Sequence, residues 1–299
     1  MLCYTVNAMG DNMNREEAKI KVILDTDTYN ECDDDFALLY MLKSQDIFDI
    51  KAITVAPFCH EESEEIIENN TLKSYEEILK ICKWACFDTH DKVFRGSTGF
   101  ITNGYNENNE AVDKIIEIAL ESEKTTILAI GALTNIALAI KKQPKIIASI
   151  EIVWLGGHSL LQENNLEFNF KQDVEAVKIV FASQVKLTII PCKNVASNLR
   201  TTIYELKHYI GKSKLGNHLL NRFTNDGFSG VKTRRVLWDI AVIAYVINKT
   251  WFTVQKMNCP GINQDTSYKL NCFEHKITMV NYIEINKVYE DFFKKIKEV

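Results

Sequence analysis

Lys21–Leu39 reads KVILDTDTYNECDDDFALL. An apolar run, Val22-Ile23-Leu24, leads into Asp25 and Asp27, and three consecutive aspartates, Asp33, Asp34 and Asp35, precede the apolar spacing of a helix. A short β-branched run without polar alternation is what a strand buried on both faces requires, and a helix straight after it begins a parallel α/β sheet. Counting Glu31, six carboxylates fall within eleven residues, and no lysine or arginine lies between Asp25 and Leu42. Carboxylates that crowded repel, and at least one resists ionisation unless positive charge sits among them. The simplest counter-charge is a metal ion, and an all-oxygen donor set favours Ca²⁺ or Mg²⁺ over zinc. An EF-hand loop started at Asp25 fails, since its sixth position is Asn30 where Gly is needed and its twelfth is Phe36 where Glu is needed.

The same alternation continues downstream. Lys21–Leu24, Ile50–Val55, Thr126–Ile130, Ile150–Leu155 and Lys186–Ile190 read as buried strands. Between them lie helical patterns at Asp34–Lys43, Glu64–Trp84, Asn109–Ser122, Leu133–Lys141 and Val174–Ala182, with Asp173 placed to cap the last. Leu237–Ile247 and Asn286–Lys297 read as further helices. This pattern predicts a single α/β domain, residues 20–299, with a mostly parallel, doubly wound, Rossmann-like sheet behind a polar N-terminal tail, residues 1–19. Ligands in such sheets bind beyond the carboxyl ends of the strands, where Asp25, Asp27, Ile130-Gly131 and Gly156-Gly157 are expected to gather.

A net charge of −5 over 299 residues argues against a nucleic-acid partner. No apolar run is long enough to span a bilayer, so no membrane partner is expected. The N-terminus lacks the basic start and apolar centre of a signal peptide. Eight cysteines without a C-x-x-C pair then read as reduced thiols, and a cytoplasmic protein is expected. Cys82, Cys86 and His90 share a helical spacing that invites a zinc reading, but no fourth ligand is evident, and buried thiols are the simpler account.

Asp25-Thr26-Asp27-Thr28 also matches the DxDxT signature of haloacid-dehalogenase-type phosphatases, with Asp25 as nucleophile and Asp27 as acid/base. Against that reading, the strand ending Val153-Trp154-Leu155-Gly156-Gly157-His158 carries none of the later aspartates that family needs. The chain resembles instead the nucleoside hydrolase family, of the inosine–uridine preferring type. The resemblance rests on four ordered segments: Asp25–Ala37, Ala129–Asn135 (AIGALTN), Val153–His158 (VWLGGH) running on to Glu167–Ala176 (EFNFKQDVEA), and Trp238-Asp239.

The resemblance implies a nucleoside hydrolase fold and cleavage of the N-glycosidic bond of a ribonucleoside to ribose and free base. It implies Ca²⁺ bound by Asp27, Asp34, the backbone carbonyl of Ile130 and Asp239, with Asp27 taking the proton of the attacking water. Ribose contacts are implied for Asp33, Glu167 and Asn169, and a homodimer or homotetramer is the family expectation. Trp238 stands where well-studied members carry His, and reads either as a core aromatic or as a face on which a base stacks. His158, after the Gly-Gly turn, reads either as a proton donor to the leaving base or as a locally hydrogen-bonded side chain. The pair Asp33-Asp34 is chosen over Asp34-Asp35 because Ala37 follows it at the family's spacing. Two departures stand out. The loop from Asp27 to Asp33 is longer than the family's DxDPGxDDA pattern, and Ala56-Pro57-Phe58 stands where an Asn is usual. A non-catalytic nucleoside- or sugar-binding member of the same fold is the remaining alternative.

Overall fold

In the computed structural model, which describes residues 18–60, 64–103, 108–225 and 232–297, the Val22–Leu24 run forms the fully buried middle of β1 (Ile20–Thr26). β1 pairs in parallel with β2 (Phe48–Val55) on one side and with β4 (Thr125–Ala129) on the other. The sheet runs outward both ways, to β3 (Val93–Phe94) beyond β2, and to β5 (Ile150–Leu155) and β6 (Lys186–Ile190) beyond β4. Two later strands complete it. β12 (Lys276–Ile283) is parallel to β6, and β9 (Phe252–Asn258) closes the edge antiparallel to β12. Two small antiparallel ribbons, β7 (Arg200–Thr202) with β8 (Arg234–Val236) and β10 (Gly261–Ile262) with β11 (Tyr268–Lys269), lie outside the sheet.

Successive strand residues face opposite sides, and the core divides accordingly. Val22, Leu24, Leu128 and Val153 pack with α1 (Asp33–Leu42), α2 (Glu64–Trp84), α7 (Ile203–Tyr209), α8 (Lys214–Thr224), α9 (Ile240–Ile247) and α10 (Ile285–Ile296). Ile23, Ile127, Ile152 and Trp154 pack with α3 (Glu110–Leu120), α4 (Thr134–Lys142) and α6 (Val174–Ala182). Both faces are therefore covered, as the unbroken apolar strands require. The winding reverses between β1 and β4, and the crevice at that reversal opens at their carboxyl ends.

The predicted strands and helices all form, with ends shifted by a few residues at most. β9 and β12 had not been expected: most of β9 is solvent-exposed, so an edge strand needs no apolar run to announce it. The polar N-terminal tail lies, for residues 1–17, outside the described residues. Cys82 is buried and Cys86 exposed, and neither belongs to a metal-capable grouping with His90 among the described residues.

Asp173 caps α6 through the Ala176 amide, as its position predicts, and does more. Its carboxylate also accepts from the Ile101 amide (2.8 Å), Thr102 Oγ1 (3.1 Å) and Thr134 Oγ1 (2.8 Å), joining three segments at one buried point. Asp173→Ala is expected to lower the unfolding free energy by about 3 kcal/mol, since several buried donors lose their acceptor at once. Denaturant unfolding measures this, and a loss below about 1 kcal/mol would contradict it.

Candidate active site

α1 begins with three carboxylates because a helix start favours negative charge in its first turn. The helix is buried all round, so those carboxylates cannot turn to bulk water. Asp33 and Asp34 face the crevice, where Asp27 meets them from the end of β1. Asp239 arrives just before α9. It is the helix's N-cap residue by position, yet its side chain caps no backbone amide and lines the same crevice. Carboxylate oxygens of Asp33, Asp34 and Asp239 lie within 4.8 Å of one another. Asp27 stands outside that tight trio but lines the same cavity.

Burial makes ionisation of this group costly. It pushes Asp27 up to about 8, with Asp33 and Glu31 adding repulsion, while the Asn30 amide at 2.9 Å partly opposes the shift. Asp33 is pushed up to about 7 by burial and by Glu31. Asp34 and Asp239 are held well above the ordinary carboxylate value by burial and by their acidic neighbours. Asp33 and Asp239 lie close enough to affect each other's ionisation. Thr26 Oγ1 donates to Asp34 at 2.6 Å and the Trp238 amide to Asp33 at 3.1 Å, which aims both carboxylates. The donors gathered here are carboxylate and carbonyl oxygens, and four buried acids of raised pKa need positive charge. The set fits a hard divalent cation.

Asp25 has a different post. It is fully buried, and Thr54 Oγ1 (2.6 Å) and Asn135 Nδ2 (2.9 Å) donate to one of its oxygens. Burial pushes it up to about 6. It does not line the cavity, and a nucleophile must, so the phosphatase alternative with Asp25 as nucleophile is overturned. Asp35, left out of the chosen pair, is also fully buried, and its counter-charge is Arg222 of α8 at 2.9 Å. The sequence argument that no cation was near held only locally. Asp35, Glu77 and His218 form a second metal-capable grouping, but Arg222 and Lys80 already balance its two carboxylates.

The cavity holds about 250 Å³ and ends the β1, β4, β5 and β6 strands. Ile130, Glu167, Asn169, His158 and Trp238, all singled out from sequence, line it together with the acidic group. Gly131 lets the β4 turn come close, since a Cβ there would lie 2.7 Å from Ala56 Cβ and 3.2 Å from Asp27 Oδ1. Gly157 adopts φ +69°, which only glycine takes without strain. Glu167 caps the short helix α5 (Phe168–Gln172), accepting from the amides of Asn169, Phe170 and Gly157, each at 2.9 Å.

Asn169 differs from its expected use. A ribose contact would most simply use its amide as a donor. Both donors are instead spent on the strand-end carbonyls of Ile130 and Leu155, each at 3.0 Å, leaving Oδ1 as the group it can offer. Those carbonyls end their strands without a ladder partner, and the nearest amide takes them. The Ile130 carbonyl keeps its second lone pair.

His158 is 4% exposed. Its Nδ1 lies 3.1 Å from the Gly157 carbonyl, which only accepts, so Nδ1 carries the hydrogen and Nε2 presents a bare lone pair. Burial and Lys193 lower its pKa, which disfavours the charged ring. With Nδ1 so engaged, Nε2 can accept a hydrogen bond when the ring is neutral or donate one when it is charged. Trp238 is half-buried, packing against the core and also lining the cavity.

Leu155, Leu166, Phe168, Cys192, Lys193 and Asn30 also line the cavity and had not been singled out for it. Leu155 and Phe168 adjoin motif residues and were within reach of that signal. Lys193 and Asn30 sit in loops whose path only the fold reveals.

A family model described as "Inosine-uridine preferring nucleoside hydrolase" matches residues 22–268. A pyrimidine-specific ribonucleoside hydrolase, RihB, of Escherichia coli O1:K1 / APEC is 29% identical over 163 residues, covering 50% of this chain and 51% of its own. A probable ribonucleoside hydrolase of Dictyostelium discoideum is 35% identical over 86 residues, 27% of this chain and 25% of its own. The chain thus spans about half the length, or less, of these curated relatives. Among solved structures, a plant nucleoside hydrolase, PpNRh1, superposes with a TM-score of 0.75 at 18% identity, covering 94% of this chain and 99% of that one. A purine-preferring ribonucleoside hydrolase from Gardnerella vaginalis gives 0.72 at 21% identity, covering 92% and 98%. With the acidic crevice at the β1/β4 reversal, the ordered motifs and a model match over most of its length, the chain belongs to the inosine-uridine preferring nucleoside hydrolase family.

Proposed function

We propose that the protein hydrolyses the N-glycosidic bond of ribonucleosides, releasing ribose and the free base. The observation that carries this reading is the clustering of Asp27, Asp33, Asp34 and Asp239, all buried, around one end of a small cavity in a nucleoside hydrolase fold. The cavity takes one small molecule, and beside the acids its lining includes the apolar side chains of Leu155, Leu166, Phe168 and Trp238. That polarity suits a polyhydroxylated sugar joined to a flat base.

In this reading Asp27, Asp34, Asp239 and the Ile130 carbonyl would hold Ca²⁺, which would supply the charge that lets these acids ionise together. Asp27 takes a proton from the attacking water. Asp33 and the Oδ1 of Asn169 accept hydrogen bonds from ribose hydroxyls, and Glu167 holds the α5 start that carries Asn169. The carboxylates also complement positive charge developing on the sugar ring as the bond breaks. Trp238 stacks on the base, His158 Nε2 accepts a substrate O–H or N–H, and Lys193 offsets negative charge on the departing base.

Incubation with inosine, uridine, cytidine and guanosine in the presence of Ca²⁺ should yield free ribose from at least one of them. Binding detected by calorimetry without ribose from any would reject the enzyme reading in favour of a non-catalytic nucleoside binder. Trp238→Ala is expected to raise KM about 10-fold, the worth of one stacked base. A change confined to kcat would argue that the ring serves chemistry and not binding.

A further inference from the structure

The loop Thr28–Cys32, longer than the family pattern, is held at the Tyr29 amide by Ser74 Oγ (3.2 Å) and at its carbonyls by Arg222. Arg222 of α8 has only 15% of its side chain exposed. Its Nε donates to Asp35 at 2.9 Å. Its Nη2 lies within hydrogen-bond reach of the carbonyls of Thr28 (3.2 Å), Tyr29 (3.3 Å) and Glu31 (2.9 Å). The guanidinium also sits 5.5 Å from the Tyr29 ring centre. One planar group thereby joins three loop carbonyls to the first turn of α1, which carries Asp33 and Asp34.

Asn30 is the residue Arg222 passes over, and it turns the other way. Its backbone amide donates to the Asp27 carbonyl at 2.7 Å, and its Nδ2 donates to Asp27 Oδ2 at 2.9 Å. Its Oδ1 faces His60 Nε2 at 3.0 Å. A carboxylate only accepts, so the amide group must face Asp27 and the carbonyl must face the ring. Ala56-Pro57-Phe58, where the pattern usually has an Asn, offers no side-chain amide from β2. The long loop supplies one from the opposite direction.

From this geometry we infer that Arg222 and Asn30 act as one positioning device for Asp27. Arg222 immobilises the loop backbone, and Asn30 passes that order to the Asp27 carboxylate. A free loop of this length would spend conformational entropy each time Asn30 met Asp27, and the guanidinium removes that cost beforehand. Lysine cannot replace it, since one ammonium cannot span a carboxylate and three carbonyls with a rigid fork. The functional half of this inference rests on Asp27 being the base; the clamp itself does not.

The test uses Asp35→Asn/Arg222→Met, which removes the clamp without leaving a buried charge unpaired, together with Arg222→Lys and Asn30→Ala. In both Arg222 variants, amide hydrogen exchange at residues 29–32 should quicken about 10-fold or more, while β1 amides change less than about twofold. Asn30→Ala should lower kcat about 10- to 100-fold with KM moving less than about threefold, as expected when a catalytic group is misplaced. Adding the Arg222 change to Asn30→Ala should cost nothing further, because both act through one contact. Wild-type exchange at residues 29–32 in the Arg222 variants would overturn the clamp. Losses in kcat that multiply would overturn the route through Asn30. A wild-type protein that releases no ribose would sink the hydrolase reading, and the exchange comparison would still decide the clamp.

Discussion

Asp27→Asn is expected to cut ribose release by about 10²- to 10⁴-fold, the range for removing a general base, while making the cation-free protein more stable. Both effects have one cause. Asp27 is buried with three other acids, and burial together with their charge lifts it to about 8. A neutral amide of the same shape cannot accept a proton from water, so turnover collapses. The same amide carries no charge to desolvate and repels none of its neighbours, so unfolding in chelator should cost about 1 to 2 kcal/mol more. The trade identifies a site arranged for chemistry at the expense of stability. Ribose release within tenfold of wild type would remove Asp27 from the catalytic role. A parallel loss of stability would mean that Asp27 is structural.

The second large effect is a linkage between cation, pH and stability. Asp27 rises from 3.8 to about 8 and Asp33 to about 7, and Asp34 and Asp239 move the same way. A carboxyl with a raised folded pKa holds its proton more tightly in the folded state. Its stabilising contribution is complete below the unfolded value near 4 and is lost as pH rises through the folded value. Without divalent cation, the melting temperature should therefore fall between pH 5 and pH 8. A cation binds the ionised set, so its effect should grow over the same interval. At about 1,000 times its Kd, Ca²⁺ adds about 4 kcal/mol, or roughly 8 °C for a chain of this size. Thermal melts with and without Ca²⁺ at pH 5, 6.5 and 8 measure this. An equal gap at each pH, or no gap with either Ca²⁺ or Mg²⁺, would show that the acids are balanced in some other way.

These expectations depend on contacts of unequal legibility. Val22–Leu24 and Ile150–Leu155 announce buried strands by composition alone, because a strand covered on both faces has no polar alternation to display. Asp173 was legible as a cap because capping acts over three residues. Its bonds to Ile101, Thr102 and Thr134 were not, since nothing local marks them. Arg222 illustrates the limit most plainly. It neutralises Asp35 across 187 positions of chain, and within its own helix it looks like any surface arginine.

The sequence by itself determined the order of buried strands and helices, the glycine turns at the rim and the stock of carboxylates at the end of β1. Each of these follows from local rules, such as strand periodicity, backbone freedom at glycine and the helix dipole, which act over a few residues. The tertiary structure alone decided where each acid stands and what surrounds it. Packing α9 beside α1 brings Asp239 to Asp33 and Asp34, and α8 sends Arg222 to Asp35. Asp25 is left outside the cavity lining while Asp27 belongs to it. A carboxylate's charge state depends on its burial and on neighbours within a few ångströms, and those neighbours come from distant parts of the chain, so only the assembled fold could set it.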